Sequence, residues 1–475
     1  MKKAEITVYL AMILTVLISL ILTLIEGARI NAMRMQIECV MDMGLNSCFA
    51  EYNRELLDQY DLLFVDTAYG TGEPSIDNME VHLLNYIEYN YHPITELISN
   101  SQKDWLSLQV EDVAIEETSI ATDERGKVCK RQAINYVKNK ISMDLVNEIQ
   151  KQSDIMKNNR LESRNIDAEC SEIENKLNKL EKIENGKKKK VRIKSPADSV
   201  NNSKSIGILG LLIDDAKSVS LQSVNLYDYA SHRNLKIGTG ITKRCEVPDS
   251  ILSEILFGEY LLEKCGDYTK QKDKSLLKYQ LEYILYGTNN DKENLKLSAK
   301  KLALIRQISN TLYLWSDIAK VNEVDAAAAI IASAVFMPEI QPIVKASLIF
   351  AWAYAESIGD LRVLLDGGKI PLMKNAGDWK LQFSQLNNYT EHLPNSSSNA
   401  KGLTYRDYMR LLLLTMNKNE KLDRFMDLIE MDLRQTEGNK KFFLDGCVDG
   451  IVAIVESKSK FGYCYSISRS YFYEL

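Results

Sequence analysis

The chain has 475 residues, with 59 Lys and Arg against 65 Asp and Glu, for a formal net charge of −6. That length accommodates roughly two or three domains with ample core, and so mild an acidic balance gives no sign of nucleic acid as a partner. The eight cysteines show no CxxC spacing or scaffold density, and the four histidines (His82, His92, His232 and His392) are scattered without a second ligand at metal spacing, so no cofactor is expected.

Residues 1–5 are a short polar tip. Residues 6–25, ITVYLAMILTVLISLILTLI, carry no charge. A helix of about 20 residues, rising about 1.5 Å per residue, matches a hydrocarbon core of about 30 Å. Lys2 and Lys3 precede this run, and Glu26 and Arg29 close it; these four are the expected flanks of a membrane anchor. Positive residues near a span stay in the cytoplasm, which predicts a cytoplasmic amino terminus, a single pass and an extracellular remainder. The run exceeds the apolar stretch of about 7–15 residues in a secretory signal peptide and passes directly into ARINAMRMQIECVMDMGL. An uncleaved signal anchor is expected, with Ala32 as the alternative cleavage position.

Residues 26–58 read as a helical stalk with Ile30, Met33, Ile37, Val40, Met41 and Leu45 at helical spacing and a bend at Gly44. A small α+β region follows over 59–125. It has strands at YDLLFVD (60–66) and VEDVAIEETSIATD (110–123), and a short helix, VHLLNYIEYNYH, ending before Pro93. Residues 126–185 predict long helices, the first over 129–150. Ile166, Cys170, Ile173, Leu177 and Leu180 then form a short coiled-coil-like segment, suited to a helical hairpin rather than a zipper.

GKKKKVRIKSPADSVNNSK (186–204) lacks apolar periodicity and reads as a basic linker and the clearest domain seam. Its cluster of Lys187–Lys190, Arg192 and Lys194 is read as solvated, with an envelope polymer or anionic lipid as the alternative contact. Residues 205–437 predict a helical bundle. One of its helices is capped by Asp249 or Ser250, and its two least polar helices, AAAAIIASAVF (326–336) and ASLIFAWAYA (346–355), are placed at the centre. Residues 438–475 predict a β-hairpin around SKSK that joins the strands near 62 and 115, with Cys447 and Cys464 as the best disulfide pair. The fold class is mainly α with a small antiparallel sheet.

Chemistry is sparse. Glu356 and Asp360 stand one helical turn apart with Arg362 close behind, the spacing that acid and base work on a glycosidic bond would use. The favoured reading is that both pair with Arg306 or Arg362, because buried charges need partners. GGK at 367–369 is a turn rather than a phosphate loop, and no GxSxG elbow occurs. The tyrosines concentrate in YNYH, LYDY, YQLEYILY and YCYSISRSYFY, and an interaction surface is one reading of the last.

Long blocks resemble a family of exported proteins from anaerobic Gram-positive bacteria, described only as a domain of unknown function. They are ITVYLAMILTVLISLILTLIEGARINAMR, AEYNRELLDQYDLLFVDTAYGTGEP, EYLLEKCGDY, YQLEYILYGTNNDKENLK, AWAYAESIGDLRVLLDGGKIPL and LTYRDYMRLLLL. The resemblance covers nearly the whole chain and implies a role beside tight-adherence (Flp-type) pilus components; it transfers no active residues. The step Glu26-Gly27-Ala28-Arg29 is similar to the end of the membrane segment in TadE- and TadG-like minor pilins. Prepilins carry Glu where this chain has Tyr9 if cut after Ala4, so the similarity implies neither prepilin processing nor a major pilin.

The expectation is a membrane-anchored, non-enzymatic, extracytoplasmic structural or accessory protein. Its partners are the lipid bilayer and pilus or envelope proteins, with no nucleic acid. The alternatives are an anchored envelope hydrolase using Glu356 and Asp360, and a surface adhesin or sensor.

Overall fold

A computed structural model describes residues 2–91, 106–184, 187–190, 193–214, 218–239, 250–272, 274–394 and 402–473. His92, Pro93, Arg192, Cys245 and Asp249 lie outside them. The fold is α+β, and the chain forms two compact units: residues 1–135, 233–247 and 433–475, and residues 136–232 with 248–432.

The first unit is built on one long helix, α1 (Lys2–Phe49). A short capped helix, α2 (Arg54–Tyr60), follows; Asn53 accepts from the Leu56 N–H and Asp61 ends the helix in the left-handed region at φ 50°. The strand expected over 60–66 shrinks to β1 (Val65–Asp66). The Gln132 amide accounts for the loss, donating to the Leu63 carbonyl and accepting from its N–H, both at 2.8 Å, where ladder bonds would otherwise form.

Helix α3 (Ile76–Tyr91), strand β2 (Leu108–Ile120) and helix α4 (Asp123–Lys138) follow, and the chain returns to this unit with strands β5 (Cys447–Ser459) and β6 (Cys464–Phe472). Strand β5 is central. It pairs antiparallel with β2 along one edge, and with β6 and then β1 along the other. The hairpin expected at the carboxy-terminal end is therefore present and joins the earlier strands. Helix α1 lies over β6 and α3 over β2, enclosing Met33, Ile37, Met41, Leu83, Ile87, Ile451 and Val455. Helix α1 continues through Gly44, which permits the approach of α3, because a Cβ there would sit 3.1 Å from Leu83 and Ile87 side-chain atoms.

Cys447 and Cys464 are not bridged. Cys447 faces Asp66 and Cys464 faces Lys458, so about 36 Å of strand separates their positions on β5 (447 to 458 at about 3.3 Å per residue), and both are free thiols. They flank the turn in sequence but not across the ladder.

The second unit is helical. It contains α5 (Met143–Asn158), α6 (Ile166–Asn178), α7 (Pro196–Ser203), α8 (Ile208–Leu212) and α9 (Ile251–Lys264). It continues with α10 (Gln280–Tyr286), α11 (Asp291–Ser316), α12 (Ile318–Ala334), α13 (Gln341–Leu365), α14 (Tyr405–Thr415) and α15 (Lys418–Leu433). A small hairpin pairs β3 (Glu181–Glu184) with β4 (Lys187–Lys190). Where sequence predicts an irregular linker, the structure has β4 and α7. Ser195-Pro196-Ala197-Asp198 starts α7, with Pro in its first turn and the Asp198 carboxylate accepting the Ser195 N–H at 3.1 Å.

Helices α11 and α13 form the principal pairing of this unit. The two helices expected at the centre fare differently. Helix α13 buries most of its length, whereas α12 fully buries Val324, Ala328 and Ala332 and leaves Ile330 71% exposed. Alanine explains the difference: it is the best helix former and offers little apolar area, so an alanine-rich helix forms without needing a central place.

Candidate functional site

The sequence singles out two places, the anchor flanks and the Glu356–Asp360 pair, and the structure gives each a defined setting. From Ile6 to Ile25 every residue of α1 is exposed, and this is the one helix among the described residues long and apolar enough to cross a membrane. Beyond it the same helix becomes core: Met33, Ile37, Val40, Met41, Leu45, Cys48 and Phe49 are buried. Lys2 and Lys3 open the helix. At the other flank, Glu26 and Arg29 pair one turn apart at 3.5 Å. Among the described residues the Arg29 Nε and Nη2 find no hydrogen-bond partner; its guanidinium lies over the Phe461 ring at 3.7 Å from the centroid.

Glu356 and Asp360 face the same side of α13, as their spacing predicts, and both are buried. Lys374 bridges them, contacting Glu356 Oε1 and standing 2.6 Å from Asp360 Oδ1. Arg306 on α11 donates from Nε to Asp360 Oδ2 at 3.0 Å and from Nη1 to the Pro371 and Leu372 carbonyls at 2.8 Å each. Asn310 donates to Asp360 Oδ2 at 3.1 Å, and the Lys380 and Leu381 N–H groups donate to Glu356 at 3.0 and 2.8 Å. Arg362 takes no part and pairs with Asp214 at 2.5 Å. A cavity of about 300 Å³ opens beside the pair, lined also by Gly359, Ile370, His392 and Pro394.

This chemistry is that of a lock. Burial alone would raise the Asp360 carboxyl, but Lys374 and Arg306 beside it hold it below its ordinary value. A general acid needs the opposite shift. Two cations, an amide and two backbone N–H groups instead use these carboxylates to hold residues 370–381 against α13. Arg306 is the partner expected from sequence. Lys374 is not foreseen, because it stands on a loop with no periodic signal.

Sequence reading also misses a second buried acidic group. Glu282 on α10 accepts from the Tyr268 N–H at 2.9 Å and from the Tyr405 hydroxyl at 2.8 Å, both on Oε1, while Oε2 has no hydrogen-bond partner among the described residues. Burial first and neighbouring Asp267 second push its carboxyl up to about 8. Asp267 is held by the Arg406 guanidinium at 2.8 Å and by the Thr269 and Lys270 N–H groups. Glu282 stands in an ordinary helix pattern and Asp267 in the loop between α9 and α10, so no sequence signal marks them.

No curated protein and no solved structure matches this chain. A match to the family of unknown function DUF5702 spans residues 186–459, more than half of the sequence, and the chain belongs to that family.

Proposed function

We propose that this is a membrane-anchored, extracytoplasmic structural or accessory protein of the cell envelope. In this reading residues 6–25 cross the bilayer once, Lys2 and Lys3 remain in the cytoplasm, and both units stand outside. The observation that carries it is the division of α1, which is uncharged and exposed from Ile6 to Ile25 and from Met33 turns one face into the core. The lysines at the start support the orientation. The resemblance to exported proteins encoded beside tight-adherence pilus components supports association with such a pilus. The charge-paired state of Glu356 and Asp360 favours a scaffold over a hydrolase.

Protease shaving of intact cells followed by mass spectrometry tests the topology, with release of peptides from 60–475 expected. Full-length product that stays soluble and never pellets with membranes would overturn the anchor. A tagged chain extracted in mild detergent is expected to bring pilus proteins with it; recovery of the chain alone would remove the pilus association.

A further inference from the structure

Within the first unit, α1 and β6 run side by side and rise together. Arg34 lies over the Tyr465 ring at 5.0 Å, Arg469 stands 3.4 Å from Glu38 and 3.5 Å from Asp42, and Phe49 meets Tyr471 with ring centroids 4.4 Å apart. The lengths agree: residues 26–49 of a helix rise about 34 Å and residues 463–473 of a strand about 33 Å. The turn joining β5 to β6 is therefore the end of the sheet beside the last residues of the apolar run. There Tyr463 hydrogen-bonds Glu26, which raises its phenol, and Phe461 lies under Arg29.

Two aromatic side chains at this turn, beside the last residues of the apolar run, keep open surface among the described residues even with Arg29 over Phe461. Phe461 is 59% exposed and Tyr463 41%, with Lys460 exposed between β5 and these rings. Arg29 follows Ile25 by four residues, about 6 Å along the helix, which is the depth of one headgroup layer beside a hydrocarbon core of about 30 Å. Aromatic rings concentrate at that depth, and lysines there attract anionic headgroups.

Resting on the anchored reading above, we propose that the β5–β6 turn is a second membrane contact, with Phe461 and Tyr463 seated in the interfacial layer of the bilayer that α1 crosses and Lys460 facing anionic lipid headgroups. Together the span and the turn fix the first unit against the membrane surface instead of leaving it on a free stalk.

The test uses the full chain in vesicles of phosphatidylcholine and phosphatidylglycerol, with a photoreactive benzoylphenylalanine replacing Phe461, Tyr463 or, as a reference, Val81. Val81 is exposed and adjoins His82, which contacts Glu51 at 2.9 Å, beyond the far end of α1. Lipid adducts are expected at 461 and 463 and absent at 81, with all three variants floating with the vesicles. Flotation with no lipid adduct at 461 or 463, or with adducts only to protein, would overturn the proposal and leave the anchor intact. Failure to float would overturn both. Because both substituted rings are exposed, folding is checked by an unchanged thermal transition, and agreement between 461 and 463 guards against one misfolded variant.

Discussion

Two acidic clusters lie inside the helical unit, and they hold their protons differently. At Glu356 and Asp360, Lys374 spans the two carboxylates and Arg306 meets the second, and together these cations hold the Asp360 carboxyl below its ordinary value. At Glu282 the donors are a phenol and a backbone N–H, the like charge of Asp267 raises the carboxyl further, and one oxygen has no hydrogen-bond partner among the described residues. Both sets are buried. Burial alone therefore does not decide the charge state; the sign of the neighbours does.

The contrast predicts unequal responses to substitution. Lys374→Met leaves two adjacent buried carboxylates without their bridge and is expected to cost about 3–5 kcal/mol in urea unfolding. A loss below about 1 kcal/mol would mean that the bridge is not what holds the loop. Asp360→Asn is next, at about 2–3 kcal/mol near neutral pH. The Asp360 carboxyl is depressed in the fold, so its contribution is present above its unfolded value near 3.8 and disappears as pH falls through the lower folded value. The Asn variant should accordingly show a flatter acid limb, and an unchanged limb would contradict the assignment.

Glu282→Gln should do the reverse. A carboxyl raised in the fold contributes stability that is fully present below its unfolded value of 4.5 and lost as pH rises toward about 8. The Gln side chain keeps the acceptor for Tyr268 and Tyr405 and cannot ionise, so the variant is expected to exceed the parent by roughly 1–2 kcal/mol at pH 8 and to match it near pH 4. Parallel stability profiles across that window would sink the comparison. The smallest effect is expected from Tyr405→Phe, about 1 kcal/mol, which removes one donor and leaves Glu282 still harder to ionise.

Much of the architecture is legible from periodicity alone, including the long first helix, the terminal hairpin and the run of amphipathic helices after 250. The failures have distinct physical causes. Helix α12 lies less centrally than its lack of charge predicts, because alanine gains little from being covered. The linker at 186–204 hides α7 because its apolar side is short, although Ser195 to Asp198 carries a start signal. The strand near 62 is cut back by a Gln132 amide from a distant helix, which no local pattern encodes. For the Glu356–Asp360 pair, sequence reaches as far as Arg306. Lys374 and the Glu282 group depend on how loops fold back, a tertiary property that spacing does not carry.

One continuous helix serves as apolar run and as the spine of the first unit, with Gly27 inside it and no break on either side. Such a shaft is torsionally keyed: each residue advances it by about 100° and about 1.5 Å. In the anchored state a single residue inserted after Ile18 would swing the lower part of the span by about 100° relative to the domain above, with every contact of the first unit intact. Any neighbour that grips both would then meet them out of phase, so the azimuth between span and domain is itself encoded in the number of residues between them.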